Sequence, residues 1–190
     1  MQNLATRTDH PTALLTPQIP AGEEARVAAT LGAIEKHLGF VPDALRLYSF
    51  SPQLLENFVA NIGYFNSGER LSPALMAMIR YYVSTDAKCS FCVDLNEGFL
   101  SNMGVDLEKV RAARGNHEAA PVTEKEKPLL RIALKSVTNP ESVSSIDITA
   151  ARQQGWSDRD IFDVVAQAAS NRALNYILRT FKVEHQGTYS

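Results

Sequence analysis

From Glu23 onward, apolar residues recur at spacings of three and four and never alternate with polar ones between turn signals. That pattern argues against strands and leaves helices as the regular element, so the class read from the sequence is all-α. Ala28, Leu31, Ile34 and Leu38 form a first stripe ending at Gly39, a residue suited to closing a helix in the left-handed conformation. Phe40-Val41-Pro42 is an extended step, because the residue before a proline is pushed out of the α region. A short helix over Asp43 to Phe50 follows. Ser51-Pro52 and Ser72-Pro73 each place an N-cap residue before a proline at the first helical position. They open helices with the stripes Leu55, Phe58, Val59, Ile62 and Leu75, Met78, Ile79, Tyr82, Val83.

The later chain continues in the same way. A helix carrying both cysteines runs to Met103 and is closed by Gly104, and Asp106 caps a short helix through Val110. Gly115 to Val122 reads as a loop. Thr123-Glu124-Lys125-Glu126 has capping-box spacing, but Pro128 predicts a helix that starts a turn later than the box suggests. A short helix over Ile146 to Gln154 and a long one capped by Ser157-Asp158-Arg159-Asp160 complete the pattern. The buried face of the long helix is read as Ile161, Val164, Val165, Ala168, Ala169, Leu174, Ile177, Leu178 and Phe181. Residues 1–20, with Pro11, Pro17 and Pro20 and no periodicity, read as an extended arm. Residues 21–190 read as a single helical domain.

With 190 residues, 45% of them hydrophobic, the chain can bury a sizeable core. Its formal net charge of −2 gives no general attraction to nucleic acid or to an anionic membrane. No apolar run approaches the ~18 residues that a bilayer requires. The start of the chain lacks the basic-then-apolar plan of a secretory signal, so the expected compartment is a reducing cytosol. There a close cysteine pair is more often catalytic or metal-binding than a structural staple.

The pair is Cys89-Ser90-Phe91-Cys92, at the start of its helix. A helix N-terminus favours thiolate through its unpaired amides and the positive end of its dipole, and residues i and i+3 share a face. Lys88 adds a neighbouring cation. A zinc site needs about four ligands. The histidines His10, His37, His117 and His185 do not stand at ligand spacing, so no metal is expected. No phosphate-binding glycine loop and no haem or flavin signature is present, so no cofactor is expected either. The competing reading is two inert core cysteines, because Cys89, Cys92, Val93, Asn96, Phe99, Leu100 and Met103 form a stripe that is mostly core-like. Asp94 and Glu97 point away from that stripe and are read as a solvated face.

Leu71-Ser72-Pro73 with its helix, Val83-Ser84, the CxxC and Gly104-Val105-Asp106 together resemble the alkylhydroperoxidase D (AhpD)-like group of the carboxymuconolactone decarboxylase superfamily. Gly39-Phe40-Val41-Pro42, Ser51-Pro52-Gln53-Leu54-Leu55 and Gly155-Trp156-Ser157-Asp158, with the helix through Asn171 and Asn175, resemble its peroxidase-related branch. The resemblance implies a helical bundle of about seven to nine helices. It also implies assembly as a dimer, trimer or hexamer, and reduction of hydroperoxides at the expense of an external dithiol. Carried over, Cys92 attacks the peroxide and Cys89 resolves the sulfenic acid as a disulfide.

In the family pattern a Glu before the first cysteine and a His after the second relay protons. Those positions fall on Ala77 and Asn96, so both relay groups are replaced. Acid–base assistance is typically worth ~10²–10⁴-fold, which predicts a less efficient enzyme. Tyr81, one turn after Ala77, is either a core aromatic or a hydroxyl lining the pocket. Asn171, Arg172 and Asn175 either satisfy helix ends or an interface, or line that pocket, and His117 is the histidine best suited to act from a partner subunit. Two alternatives to peroxidase stay open. One is a catalytically degenerate scaffold for redox sensing or protein interaction, and the other is decarboxylase-type chemistry that does not use the cysteines.

Overall fold

The structure, a computed structural model, describes residues 13–183. Among them are nine α-helices, three short 3₁₀ turns and no strand. The helices are α1 (Glu24–Leu38), α2 (Asp43–Leu47), α3 (Pro52–Phe65), α4 (Pro73–Asp86), α5 (Ser90–Asn102), α6 (Leu107–Ala112), α7 (Lys127–Thr138), α8 (Ser145–Gln153) and α9 (Asp158–Thr180). The all-α class read from the sequence is the class the chain adopts. Most of the expected arm, residues 1–12, lies outside the described residues, as do His10 and His185. No helix among the described residues is long and apolar enough to cross a membrane.

Within the span read as one helical domain, the described residues form two compact units. The first comprises residues 13–64 and 178–183. Its core is Val27, Leu31, Ile34, Val41, Leu45 and Leu55, with Tyr48 stacked on Phe58 at 4.7 Å between ring centres. Val27 rather than Ala28 completes the buried face of α1; Ala28 is exposed. Residues 13–20 carry no helix, and the Leu14 amide donates to the Phe181 carbonyl at 3.0 Å. Tyr48–Phe50, read as the end of one helix, is a separate 3₁₀ turn after α2.

The second unit, residues 65–177, is built on α4. Leu75, Met76, Ala77, Met78, Ile79 and Tyr81 have no measurable exposure, so this helix is apolar on nearly every side and has neighbours all round. Full burial of each large side chain is worth ~1.5–3 kcal/mol, which holds α4 at the centre of the unit. Ser72 caps it as expected, accepting from the Leu75 amide at 3.0 Å, with Pro73 at the first position. α7, with Leu129, Leu130, Ile132 and Ala133 buried, and the Ile161, Val164 and Ala168 face of α9 contribute to the same core. Ala169, expected on that face, is exposed.

The caps follow the sequence closely. Asp106 accepts from the Glu108 amide at 3.0 Å, and the Asp160 amide reaches Ser157 Oγ while the Ser157 amide reaches Asp160 Oδ2 at 2.8 Å. α7 starts at Lys127, after the Thr123–Glu126 box, as Pro128 requires. A second capping box, Ser144 with Asp147, opens α8.

Candidate active site

Both cysteines sit where α4 turns into α5. α4 ends in a Schellman arrangement: the Lys88 amide donates to the Thr85 carbonyl and the Cys89 amide to the Ser84 carbonyl, each at 3.0 Å. Such an end needs a left-handed residue, and Lys88 fills that place with φ of +57° although it carries a Cβ. The turn delivers Cys89 in an extended conformation as the N-cap of α5, its carbonyl accepting from the Val93 amide at 3.0 Å. Ser90, Phe91 and Cys92 then form the first turn. Cys89 and Cys92 therefore occupy the N-cap and N3 positions, the two places whose side chains meet in a capping box. Here the meeting is covalent: the two form a disulfide with Cα atoms 5.3 Å apart. Each residue is 3% exposed.

Ala77 and Asn96 are both buried. Asn96 stands one turn after Cys92, its amide nitrogen donating to the Cys92 carbonyl at 2.7 Å. Its oxygen accepts from Arg80 Nε at 2.9 Å. Arg80 went unnoticed in the sequence, although a lone arginine inside the apolar run from Leu75 to Val83 was a signal. It lies one turn beyond Ala77 and is partly buried. Burial pushes its guanidinium down to about 10, so it remains charged at neutral pH. Its second contact is with Asn66 Oδ1, at 3.4 Å. Among the described residues no carboxylate lies within ion-pairing distance of it.

Behind this group stands a buried amide and hydroxyl layer. Asn171 donates to the Arg80 carbonyl at 3.2 Å and to Ser84 Oγ at 3.1 Å, and Asn175 donates to the same Oγ at 3.2 Å. These two asparagines therefore tie α9 to α4 at the level of the cysteine turn. Arg172 instead reaches Asp86 and the Val137 carbonyl.

Tyr81 and Glu97 form a second cluster. Glu97, expected on a solvated face, is 7% exposed. The expectation failed because partners outside the helix cover it: Arg111 Nη2 at 2.7 Å, Arg114 Nη2 at 2.8 Å and the Tyr81 hydroxyl at 3.2 Å all donate to its carboxylate. Burial alone would push the Glu97 carboxyl up, but the bonds and charges of Arg111, Tyr81 and Arg114 prevail and hold it below its ordinary value. Burial raises the Tyr81 hydroxyl against the pull of Arg114, so it stays a donor. Tyr81 is thus engaged by Glu97 and Arg114, beside the Arg80–Asn96 pair rather than in it. His117 lies in a 3₁₀ turn, with Nε2 3.3 Å from Glu118. Among the described residues no three His, Cys, Asp or Glu side chains converge as a metal site.

No protein-family model matches the chain, and no curated protein matches it in sequence. Solved structures do. A peroxidase-related protein from Silicibacter sp. superposes with a TM-score of 0.83 at 22% identity, over 95% of each chain. A peroxidase-related protein with an AhpD core from Ralstonia eutropha does so with a TM-score of 0.80 at 20% identity, again over 95% of each chain. The debrominase Bmp8 is similar with a TM-score of 0.72 at 17% identity over 94% of each chain. A cysteine-to-alanine variant of that debrominase has been solved with 2,3,4-tribromopyrrole, and it superposes with a TM-score of 0.67 at 16% identity over 90% of this chain and 91% of that one. At these identities the shared property is the fold: the chain has the all-helical AhpD-like fold seen in peroxidase-related proteins.

Proposed function

We propose that the chain is a thiol-dependent hydroperoxide reductase working through Cys92 and Cys89, in a reducing compartment and as a homo-oligomer. The observation that carries this reading is the disulfide joining the N-cap and N3 residues of α5, in a second unit whose helices hold the turn from both ends. Such a pair can open and close with little backbone movement, because the Schellman bonds fix Cys89 and the helix fixes Cys92.

The chemistry is a two-electron exchange. The Cys92 thiolate attacks the distal peroxide oxygen, the O–O bond breaks, and the alkoxide leaves and takes a proton to become the alcohol. The resulting sulfenic acid is attacked by the Cys89 sulfur; the S–O bond breaks, water leaves, and the disulfide forms. An external dithiol returns two electrons and two protons by thiol–disulfide exchange. Neither Ala77 nor Asn96 can carry a proton at neutral pH, so solvent supplies the one taken by the alkoxide. Turnover is therefore expected ~10²–10⁴-fold below that of a site with a working relay.

Stopped-flow mixing of the dithiol form with cumene hydroperoxide tests the reading. One alcohol and one Cys89–Cys92 disulfide per peroxide consumed is the expected result, with a Cys92 sulfenic acid trapped by dimedone in Cys89→Ser. No sulfenic acid and no disulfide would sink it. Because a debrominase shares the fold, a bromopyrrole is the useful comparison substrate. Its consumption without that of peroxide would move the electron acceptor from oxygen to halogen. The loss of both relay groups favours a second reading, a redox sensor that forms the disulfide slowly and never turns over.

A further inference from the structure

We propose that Arg80 is the electrostatic partner of reduced Cys92, a positioning residue that lowers the thiol's ionisation point. The argument begins with an imbalance. In the disulfide state neither sulfur carries charge, yet a partly buried guanidinium is joined through Asn96 to the Cys92 residue, and its hydrogen-bond partners among the described residues are two amide oxygens. Burying a charge without a counter-ion is unfavourable, and native structures rarely leave it so. Reduction creates the missing anion. Asn96 sits between the two: its amide nitrogen donates to the Cys92 carbonyl and its oxygen accepts from Arg80 Nε, so one side chain holds the cation one turn of α5 from the residue that ionises. The Arg80 carbonyl is itself held by Asn171, which steadies that level of α4.

Most of the other described charged groups around the turn have partners of their own or face solvent. Asp86 is paired with Arg172, and Glu97 with Arg111 and Arg114. Lys88 is exposed on the preceding turn, and Glu108 and Lys109 of α6 are exposed as well. Asp94 projects from α5 about half a turn from Cys92. Asn171 and Asn175 of α9 are neutral. The amides that open α5 serve the N-cap position, which is Cys89. Both sulfurs lie at the helix terminus, and Arg80 adds a cation on the Cys92 side through Asn96.

The inference rests on Cys92 being the thiol that ionises in the proposed reaction, but not on a hydroperoxide being the substrate. Its test therefore uses no peroxide. The rate of iodoacetamide alkylation at Cys92 is followed against pH by peptide mass spectrometry in the reduced protein, in Arg80→Met and in Arg80→Lys. The expected result is an apparent pKa about one unit higher in Arg80→Met. That gives alkylation about tenfold slower below the pKa, with Arg80→Lys restoring most of the difference. In a glutathione redox buffer at a pH above both apparent pKa values, the same tenfold change makes the couple of Arg80→Met more reducing by about 30 mV. Superimposable profiles for the three proteins would overturn the proposal, as would a shift confined to Cys89. If Arg80→Met does not fold, the unmutated protein still decides the matter. The NMR signal of Arg80 Nε–H should move with Cys92 ionisation, and a signal that stays still through that titration counts against the pairing.

Discussion

Two adjacent residues of α4 meet two adjacent residues of α5, and the pairs differ in one respect. Arg80 meets Asn96, and Tyr81 meets Glu97, each sixteen residues apart. On the Tyr81 side an acid is present, and two arginines and a hydroxyl satisfy it, leaving the charge closely matched. On the Arg80 side the cation has, among the described residues, amide partners alone. The matched cluster clamps α4, α5 and the segment after α6 together. The unmatched one joins a cation to the Cys92 residue through Asn96. A rotation of one residue along each helix separates a structural joint from a site with charge to spare.

The largest test of that contrast is Glu97→Ala. It strands a buried hydroxyl and two half-exposed guanidiniums, so a loss of about 2–3 kcal/mol is expected from urea unfolding. The pH profile of Cys92 alkylation should stay where it was. A profile that moved with the stability would show the two clusters to be one coupled system, and the contrast would be lost.

Acid provides the next test. Glu97 is held below its ordinary value of 4.5, and Asp147, through Lys135 and Ser144, down to about 2. A depressed carboxylate contributes stability that is fully present above its unfolded value and is lost as pH falls through the folded one. Glu97→Gln should therefore flatten the decline in urea midpoint from about pH 4.5 downward, and Asp147→Asn from about pH 3.8 down to about 2. Arg80→Met should not, because no acid depends on it. Tyr81→Phe removes one donor and one acceptor and should lower stability by about 1 kcal/mol, with Cys92 again unaffected. Smallest is Lys88→Gly. Relief of the left-handed backbone is nearly offset by the greater freedom of glycine in the unfolded chain, so a change within about 0.5 kcal/mol is expected in the same urea assay. A large loss would mean that the lysine side chain, rather than its backbone angle, holds the cysteine turn.

Much of this was legible in the sequence, and the exceptions share a cause. Periodicity placed Leu75, Met78, Ile79, Tyr82 and Val83 inside, and Ser72, Asp106 and Ser157 announced their helix starts, because stripes and caps are local. Glu97 was misplaced because its burial comes from Arg111, Arg114 and Tyr81, which arrive from other elements. Met103, on the cysteine stripe by spacing, is exposed because it lies just past the end of α5, where the helical register stops applying. The positions replacing the relay could be found from the resemblance alone. Arg80 could not, since a charge inside an apolar run gives its partner away only when the neighbouring helix is in place.

The spacing of the two cysteines also governs what breaking their bond does to the fold. A cross-link limits the unfolded chain in proportion to the logarithm of the loop it closes, and Cys89 and Cys92 close a loop of only four residues. On the chain-entropy estimate that restraint is worth about 2 kcal/mol, against about 4.7 for a loop of a hundred residues. The bond is thus a weak staple by construction. Most of what holds the helices around it comes from their own cores and caps, and opening the bond costs the fold less than a long-range cross-link would.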